Sequence, residues 1–237
     1  MLKTIWRFIW KATMWFFIIS IISVIFFRFA PIPFTPLMII RCVEQKFDNK
    51  DLKLYKDWIS INEISPNLQL AVVCSEDQNF IEHNGFDFKA IEKAMDYNEN
   101  HSKKRGASTI SQQTAKNVFL WPGRSWIRKG LEVYFTFLIE TFWSKERIME
   151  VYLNVIEMGD GVYGAEATTK LFFNKKVISL SKSEAALIAA VLPNPRKFSI
   201  AKPSPYIRKR QTWIIRQMGY WGGVINYDAP VKKTRTK

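Results

Sequence analysis

GASTISQQTAKN, residues 106–117, is the stretch of sequence that decides the fold. Its polar side chains recur at intervals of three and four residues, as Thr109, Gln112, Gln113 and Lys116. That spacing places them on one face of a helix. The stripe has two readings: a face turned to water, or a face lining a sugar-phosphate cleft. Amides bind hydroxyl and acetamide groups, and an ammonium pairs with phosphate.

Helix signals continue on both sides of this stretch. Ser, Asp and a Ser-x-x-Glu capping box precede segments in which apolar residues recur at helical spacing. Pro66 marks the start of one predicted helix, and Pro193 marks the end of another. The predicted N-caps are Ser65, Asp87, Ser108, Ser125, Ser144 and Ser181. Alternating strand patterns and Asn-Gly hairpin signals do not occur. We therefore predict a domain that is all-α or nearly so.

The N-terminus contains an uninterrupted apolar segment. Residues 12–27 carry no charge, and the apolar character extends back to Ile5. This length suits a bilayer core, which needs roughly 20 residues. A cleaved signal peptide is the alternative, but no small-x-small cleavage site follows. We favour an uncleaved anchor with the N-terminus in the cytoplasm, because Lys3, Arg7 and Lys11 precede it.

Residues 29–41 are apolar but contain three prolines, which forbid a continuous helix. We expect this segment to lie in the membrane interface or to pack under the domain. The two cysteines, Cys42 and Cys74, form no metal-binding pattern. Free thiols and a disulfide both remain open, the second if the domain lies outside the cytosol.

The chain is strongly basic, with 35 Lys and Arg against 21 Asp and Glu and a formal net charge of +14. Such an excess favours an anionic partner: nucleic acid, anionic lipid or a phosphorylated substrate. Residues 196–237 contain eleven basic residues and one acid, Asp228. This end is either a solvated, partly frayed tail or a segment attracted to anionic headgroups.

Two carboxylates follow apolar helical sequence. Glu76 ends the segment NLQLAVVCSE, and Glu132 lies four residues after Arg128 in a strongly apolar helix. A carboxylate beside apolar surface is a candidate general base, since burial raises its proton affinity. A solvated helix end for Glu76 and a surface ion pair for Glu132 are the alternatives. His83 alone is more typical of a structural histidine.

Taken in order, these segments resemble the family 51 glycosyltransferases, the peptidoglycan transglycosylases. The family motifs E-D-x-x-F-x-x-H-x-G, G-x-S-T-I-x-Q-Q-x-x-K-N, R-K-x-x-E and K-x-x-I-x-E-x-Y-L-N match residues 76–85, 106–117, 128–132 and 145–154. A glycine turn and a closing E-A-A-x-x-A-A-x-x-P-N-P match residues 159–165 and 184–195. Met149 and Thr168-Thr169 depart from the family pattern, outside the expected catalytic positions. The resemblance covers about residues 30–215.

The resemblance implies a mainly α, lysozyme-like helical domain with one N-terminal transmembrane helix, of the single-domain type. We expect a cytoplasmic N-terminus and anchor at 1–28 and a membrane-proximal connection at 29–60. The glycosyltransferase domain is then expected at 61–215 and a basic C-terminal tail at 216–237.

It also implies the reaction: lipid II is polymerised into β-1,4 glycan strands by inverting transfer from an undecaprenyl-pyrophosphate donor. Glu76 is the expected general base, and Glu132 the second catalytic carboxylate. The expected pyrophosphate-binding cations are Lys116, Arg124, Arg128 and Lys129. The other expected substrate contacts are Asp77, His83, Ser108, Thr109, Gln112, Gln113 and Asn117.

The same resemblance leaves open a divalent cation, magnesium or manganese, with Glu132 as its candidate ligand. The implied partners are lipid II, the lipid-linked glycan and membrane lipid, with cell-wall synthesis or division proteins as further candidates and no nucleic acid. The implied location is the bacterial cytoplasmic (inner) membrane, crossed once, with the catalytic domain on the periplasmic or outer face.

Two other classes of protein fit parts of the pattern. A lysozyme-like hydrolase would also use two carboxylates, but cleavage of a sugar ether needs an acid for the leaving oxygen and not several cations. A membrane-tethered module that binds nucleic acid or anionic lipid would not need Glu76 and Glu132. The cations near residues 116–129 therefore favour a pyrophosphate donor.

Overall fold

The computed structural model describes residues 2–102, 104–123 and 125–228. Within these ranges the chain forms ten α-helices, which confirms the predicted mainly α class. They are α1 (Leu2–Phe27), α2 (Pro36–Phe47), α3 (Pro66–Glu76), α4 (Phe88–Asn100), α5 (Ile110–Phe119), α6 (Trp126–Phe142), α7 (Lys145–Val155), α8 (Ala165–Phe173), α9 (Lys182–Val191) and α10 (Pro205–Tyr220).

A small sheet accompanies the helices. Its strands are β1 (Tyr55–Lys56), β2 (Glu157–Gly159) and β3 (Val162–Tyr163), in the order β1-β3-β2. Strand β3 pairs in parallel with β1 and antiparallel with β2. Strands of two or three residues are too short to show an alternating pattern in the sequence.

Five of the six predicted N-caps are confirmed: the side chains of Ser65, Asp87, Ser125, Ser144 and Ser181 accept backbone N–H groups at the starts of α3, α4, α6, α7 and α9. The prediction for Ser108 is wrong by one residue. Thr109 caps α5, because its hydroxyl accepts the N–H of Gln112 and the Gln112 side chain accepts the N–H of Thr109. Two reciprocal hydrogen bonds stabilise this start better than one.

Two groups of helices contribute to the core. Helix α9 packs between α3 and α10, and α5 packs against α6 and α7. Leu70, Ala189, Ile148 and Tyr152 are fully buried at these contacts. The arrangement places the C-terminal end of α3, which carries Glu76, next to α5.

Helix α1 is long and apolar enough to cross a membrane over Lys3–Phe27. Its C-terminal half is packed on the domain as well. The hydroxyls of Ser20 and Tyr134 on α6 are 2.7 Å apart, and the Trp143 indole N–H donates to the Val24 carbonyl oxygen at 2.7 Å. Because Val24 is fully buried, α1 and the domain share part of one core.

Residues 29–41 do not form one continuous helix, as the three prolines predicted, but residues 36–41 belong to α2, which was not predicted. The chain is irregular up to Thr35, whose side chain then caps α2, with Pro36 in the first helical turn. Proline is compatible with this position because its missing N–H has no partner there. Ile39, Val43 and Phe47 of α2 are exposed apolar side chains four residues apart.

The basic C-terminal end is not a frayed tail between residues 205 and 220. It forms α10, which buries Ile207, Gln211, Ile214 and Met218 against α9 and α3. The domain end that we placed at residue 215 therefore falls inside a packed helix. The apolar residues of this segment recur with the helical period of 3.6 residues, but the many basic residues between them made this pattern difficult to recognise. Residues 229–237 of the predicted tail lie outside the described residues.

Both cysteines are free thiols. Cys74 is buried on α3, and burial raises the pKa of its thiol to about 11. Cys74 is therefore a protonated, unreactive core residue at neutral pH.

Arg147 fastens the end of α1 to the domain. Its guanidinium donates to the Phe27 oxygen at 2.8 Å and to the Ala30 oxygen at 2.6 Å, and it pairs with Glu150 at 2.6 Å. We expect Arg147→Ala to lower the free energy of unfolding by about 2–4 kcal/mol, because it leaves two carbonyls without a donor and removes the cation paired with Glu150. Chemical unfolding in detergent measures this, with the exposed Lys182→Ala as control. An unchanged midpoint would contradict the fastening role.

Candidate active site

Glu76 is the last residue of α3, and its side chain is held by contacts from three directions. Its Oε1 accepts from the Ser75 hydroxyl at 3.0 Å, and its Oε2 accepts from the Gln113 amide at 3.2 Å. The Arg210 guanidinium of α10 lies 3.5 Å from Oε1. A largely buried carboxylate with a fixed orientation is thus presented at the end of an apolar helix.

Asp77 and His83 form a supporting pair beside Glu76. Both oxygens of Asp77 lie 3.0 Å from Nε2 of His83, and one also accepts the N–H of Ile110 at 2.9 Å. Nδ1 of His83 accepts the N–H of Gly85 at 3.1 Å, so the proton lies on Nε2, facing Asp77. These bonds tie the end of α3 to the start of α5.

Gly85 sits where only glycine fits. Its φ is +86°, and a Cβ there would lie 2.8 Å from the Thr136 Cγ2 atom. Its carbonyl accepts from the Thr109 hydroxyl at 2.7 Å. The loop after Glu76 is thereby fixed against both α5 and α6.

The predicted polar stripe of α5 divides into side chains that face the site and side chains that support the fold. Gln113 faces the site: it donates to Glu76 and accepts from the buried Tyr152 hydroxyl at 3.2 Å. Burial, and then the charges of Glu76 and Asp77, raise the pKa of Tyr152, so its hydroxyl stays protonated and donates. Gln112 and Thr109 are occupied by the helix cap.

Asn117 and Ser108 lie at the two ends of α5. The Asn117 amide donates to the Gln113 carbonyl at 2.8 Å, a bond within the helix. Ser108 is exposed and lines an open depression of about 240 Å³ that also reaches Glu76, Asp77 and Thr109. Ser108 is thus free for a ligand, whereas Asn117 already has a partner.

Glu132 is buried on α6 between two cations. Its Oε2 accepts from Arg128 at 3.0 Å, and its Oε1 accepts from Lys129. The Nε atom of Arg128 is buried without a partner within the described residues. The carboxylate therefore orients a pair of positive charges, one of which retains an unused donor.

Lys116 on α5 interacts electrostatically with both carboxylates. Burial lowers the pKa of its ammonium; the positive charges of Arg128 and Lys129 lower it further, and the carboxylates of Glu132 and Glu76 oppose these effects. Within residues 2–102, 104–123 and 125–228, no hydrogen bond or ion pair engages this ammonium. Together with Arg128 it lines an open cleft of about 310 Å³. A half-buried cation in a cleft is available to an anionic ligand.

Arg124, the remaining predicted cation, lies outside the described residues. The divalent cation that the resemblance left open does not fit the residues that are described. Both oxygens of Glu132 are already bonded to cations, and no group of three or more His, Cys, Asp or Glu side chains is suited to a metal in the described part of the chain.

Arg210 is a site residue that the sequence did not reveal. Its guanidinium donates to the Ser75 hydroxyl at 2.8 Å, and the Ser75 hydroxyl donates to Glu76. Its Nε is buried and unpartnered within the described ranges. The residue lies beyond the recognised motifs in a basic segment, so no spacing rule connects it with Glu76.

A family model described as "Transglycosylase" matches residues 44–219. The chain belongs to this family. Three relatives carry the name biosynthetic peptidoglycan transglycosylase. The Bacteroides thetaiotaomicron protein is 58% identical over 217 residues (92% of this chain, 88% of that protein), and the Bdellovibrio bacteriovorus protein 55% over 216 (91% and 86%). The Escherichia coli protein is 55% identical over 199 residues (83% and 82%). The residues that match the family model include all the described site residues of this transglycosylase, from Glu76 to Arg210.

Proposed function

We propose that this transglycosylase is a peptidoglycan glycosyltransferase that joins lipid II to a growing strand held on undecaprenyl pyrophosphate. Family membership and the names of the relatives support the class of reaction. The observation that carries the proposal is the order of charges along one site. A fixed carboxylate, Glu76, is followed by a half-buried cation, Lys116, and then by the group formed by Arg128, Lys129 and Glu132.

The proposed mechanism follows from this order. Glu76 accepts the proton of the acceptor's 4-hydroxyl as that oxygen attacks the anomeric carbon of the donor. The bond from this carbon to pyrophosphate breaks with inversion, and a β-1,4 bond forms. Pyrophosphate departs as an anion, so it needs positive charge rather than a proton. Lys116 and Arg128 supply that charge, and Arg124 is proposed to assist them.

Glu132 has a positioning part in this proposal. Because both of its oxygens are bonded to cations, it holds Arg128 and Lys129 in place. The remaining contacts, Ser108 at the depression and Gln113 beside Glu76, are proposed to bind the sugars. Asp77, His83, Thr109, Gln112 and Asn117 support these side chains through the bonds described above. Conversion of purified lipid II into strands, with wild-type and Glu76→Gln protein, tests the proposal.

We also propose that the chain crosses the membrane once, with the catalytic domain outside the cytoplasm. The support is the apolar helix α1 together with the basic residues Lys3, Arg7 and Lys11 before its uncharged part. A reporter fused after Lys237 should be active only if it functions outside the cytoplasm. The matched control is the same reporter fused before Met1, which should give the opposite result. A C-terminal reporter that is active in the cytoplasm would overturn the orientation.

A further inference from the structure

Helix α10 carries a row of alternating aromatic and basic side chains on its solvent face. This aromatic-basic stripe consists of Tyr206, Lys209, Trp213, Arg216 and Tyr220, all of them exposed. The intervals of three and four residues keep the row on one face of the helix. Ile207, Ile214 and Met218 occupy the opposite, buried face.

The side chains of the stripe lie outside the buried core of the domain. Trp213 and Tyr220 are 42% and 77% exposed, and Tyr206 is 54% exposed, with its ring 5.8 Å from that of Phe198. Neither Lys209 nor Arg216 forms an ion pair with any described residue. Large aromatic side chains that remain in solvent on a packed helix are typical of a binding surface.

The charge of α10 selects the class of ligand. Between Pro205 and Tyr220 there are four basic residues and no acidic residue. An anionic ligand is therefore favoured along the whole helix. Tyrosine and tryptophan add flat apolar faces with a polar edge, which suit the faces of sugar rings. A glycan whose peptide stems carry carboxylates combines both properties.

The spacing of the aromatic rings fits a β-1,4 glycan. Tyr206, Trp213 and Tyr220 are seven residues apart, which corresponds to about 10.5 Å along the axis at 1.5 Å per residue. This is close to the length of one β-1,4-linked disaccharide. Seven residues make nearly two full turns, so the direction of the rings drifts by only about 20° per step. Successive rings can thus meet equivalent sugars of a strand.

The helix that carries the stripe also reaches the candidate active site, and it packs on other helices than the anchor does. Arg210, on the same helix, reaches Glu76 at 3.5 Å. Helix α10 packs on α9 and α3, whereas α1 packs on α6. A polymer that leaves the site along α10 would follow the stripe, while the helix that carries the membrane anchor lies elsewhere. These contacts favour a glycan over a lipid surface.

We infer that the aromatic-basic stripe binds the glycan strand that the enzyme has made, with one ring per disaccharide and the basic residues at the stem carboxylates. The inference rests on the proposed function for the origin of the strand. Binding along α10 would hold the strand near Glu76 between successive transfers and so lengthen the product.

The test is binding of the full-length protein, in detergent, to soluble uncrosslinked glycan strands that carry peptide stems. We expect Trp213→Ala to weaken binding by about 10-fold, which is the loss of one stacked ring. The Lys209→Glu, Arg216→Glu pair should weaken it similarly, but not for strands stripped of their stems. Tyr55→Ala and Lys182→Glu are the controls and should bind normally. Tyr55 is 51% exposed, against 54% for Tyr206.

Unchanged affinity in the Trp213→Ala variant and in the charge-reversed pair would overturn the inference. So would a defect that appears only in nanodiscs containing anionic lipid, because the stripe would then be a membrane contact. With lipid II, the stripe variants should make shorter strands at an unchanged rate of first transfer. Binding to preformed strands needs no catalysis, so a wild-type protein that binds strands but does not polymerise lipid II would contradict the proposed function alone.

Discussion

Glu76→Gln should lower the rate of glycan polymerisation by about 10²–10⁴-fold, the usual contribution of a general base. The amide has the size and shape of the carboxylate but cannot accept the proton of the acceptor hydroxyl. The neighbours of Glu76 can tolerate the change, since the Ser75 hydroxyl can reverse its direction and Gln113 retains its bond to Tyr152. The fold and substrate binding should therefore survive while the rate falls.

The measurement combines the polymerisation rate, the thermal unfolding midpoint and the affinity for a non-reactive substrate analogue. Glu166→Gln is the matched control, because Glu166 is also a buried carboxylate but lies on α8, away from the site. The control should keep its turnover. If Glu76→Gln retains more than a tenth of the wild-type rate, the base lies elsewhere and Glu132 becomes the leading candidate.

Lys116→Ala should raise the activation barrier by about 2.7–4 kcal/mol, as the loss of one charge-stabilising donor does in other enzymes. Negative charge develops on the leaving pyrophosphate in the transition state, so turnover should fall much more than acceptor affinity. Folding should be little affected, because the Lys116 ammonium has no hydrogen-bond partner in the described part of the chain. Unchanged turnover in Lys116→Ala would exclude this role.

The pH dependence distinguishes charge from shape at Lys116. Its pKa is lowered by burial, so the ammonium loses its proton at a lower pH than an exposed lysine does. The wild-type rate should therefore fall as the pH rises through this lowered value. The Lys116→Arg variant keeps the positive charge, because arginine stays protonated. The pH at which its polymerisation rate falls should therefore be higher than in the wild type. Burial also lowers the pKa of Lys56, which lies outside the site, so Lys56→Arg should leave the alkaline limb in place.

Most of the helices could be predicted from the sequence because the residues that cap a helix lie within a few positions of its start. Ser65, Ser144 and Ser181 each cap a helix through a bond to a residue two or three positions later. The same kind of rule failed at Ser108 because Thr109, one residue on, offers a reciprocal pair of bonds with Gln112. Helix α2 was missed because its proline was read as a break, although Pro36 stands in the first turn.

The chemistry of the site was predictable where motifs carry it and not where packing brings residues together. The pairing of Glu132 with Arg128 follows from their spacing on one helix. The contact between Arg210 and Glu76 joins α10 to α3 across more than half of the chain, and no periodicity encodes such a contact. The division of the α5 stripe also needed the structure, since Gln112 and Gln113 look alike in the sequence but only Gln113 reaches Glu76.

The geometry of the site also favours a glycosyltransferase over the alternative of a lysozyme-like hydrolase. A glycoside hydrolase needs one carboxylic acid to give a proton to the leaving oxygen. Both oxygens of Glu132 are instead bonded to Arg128 and Lys129, and Lys116 adds a third cation nearby. Such a concentration of positive charge suits a pyrophosphate leaving group. It gives a hydrolase no advantage.

The most direct test of the synthetic function is to give the full-length wild-type protein two substrates in parallel, purified lipid II and preformed uncrosslinked glycan strands. We expect lipid II to be converted into longer strands with release of undecaprenyl pyrophosphate, while the preformed strands keep their length. Strands that are shortened while lipid II stays unpolymerised would contradict it and identify the enzyme as a hydrolase.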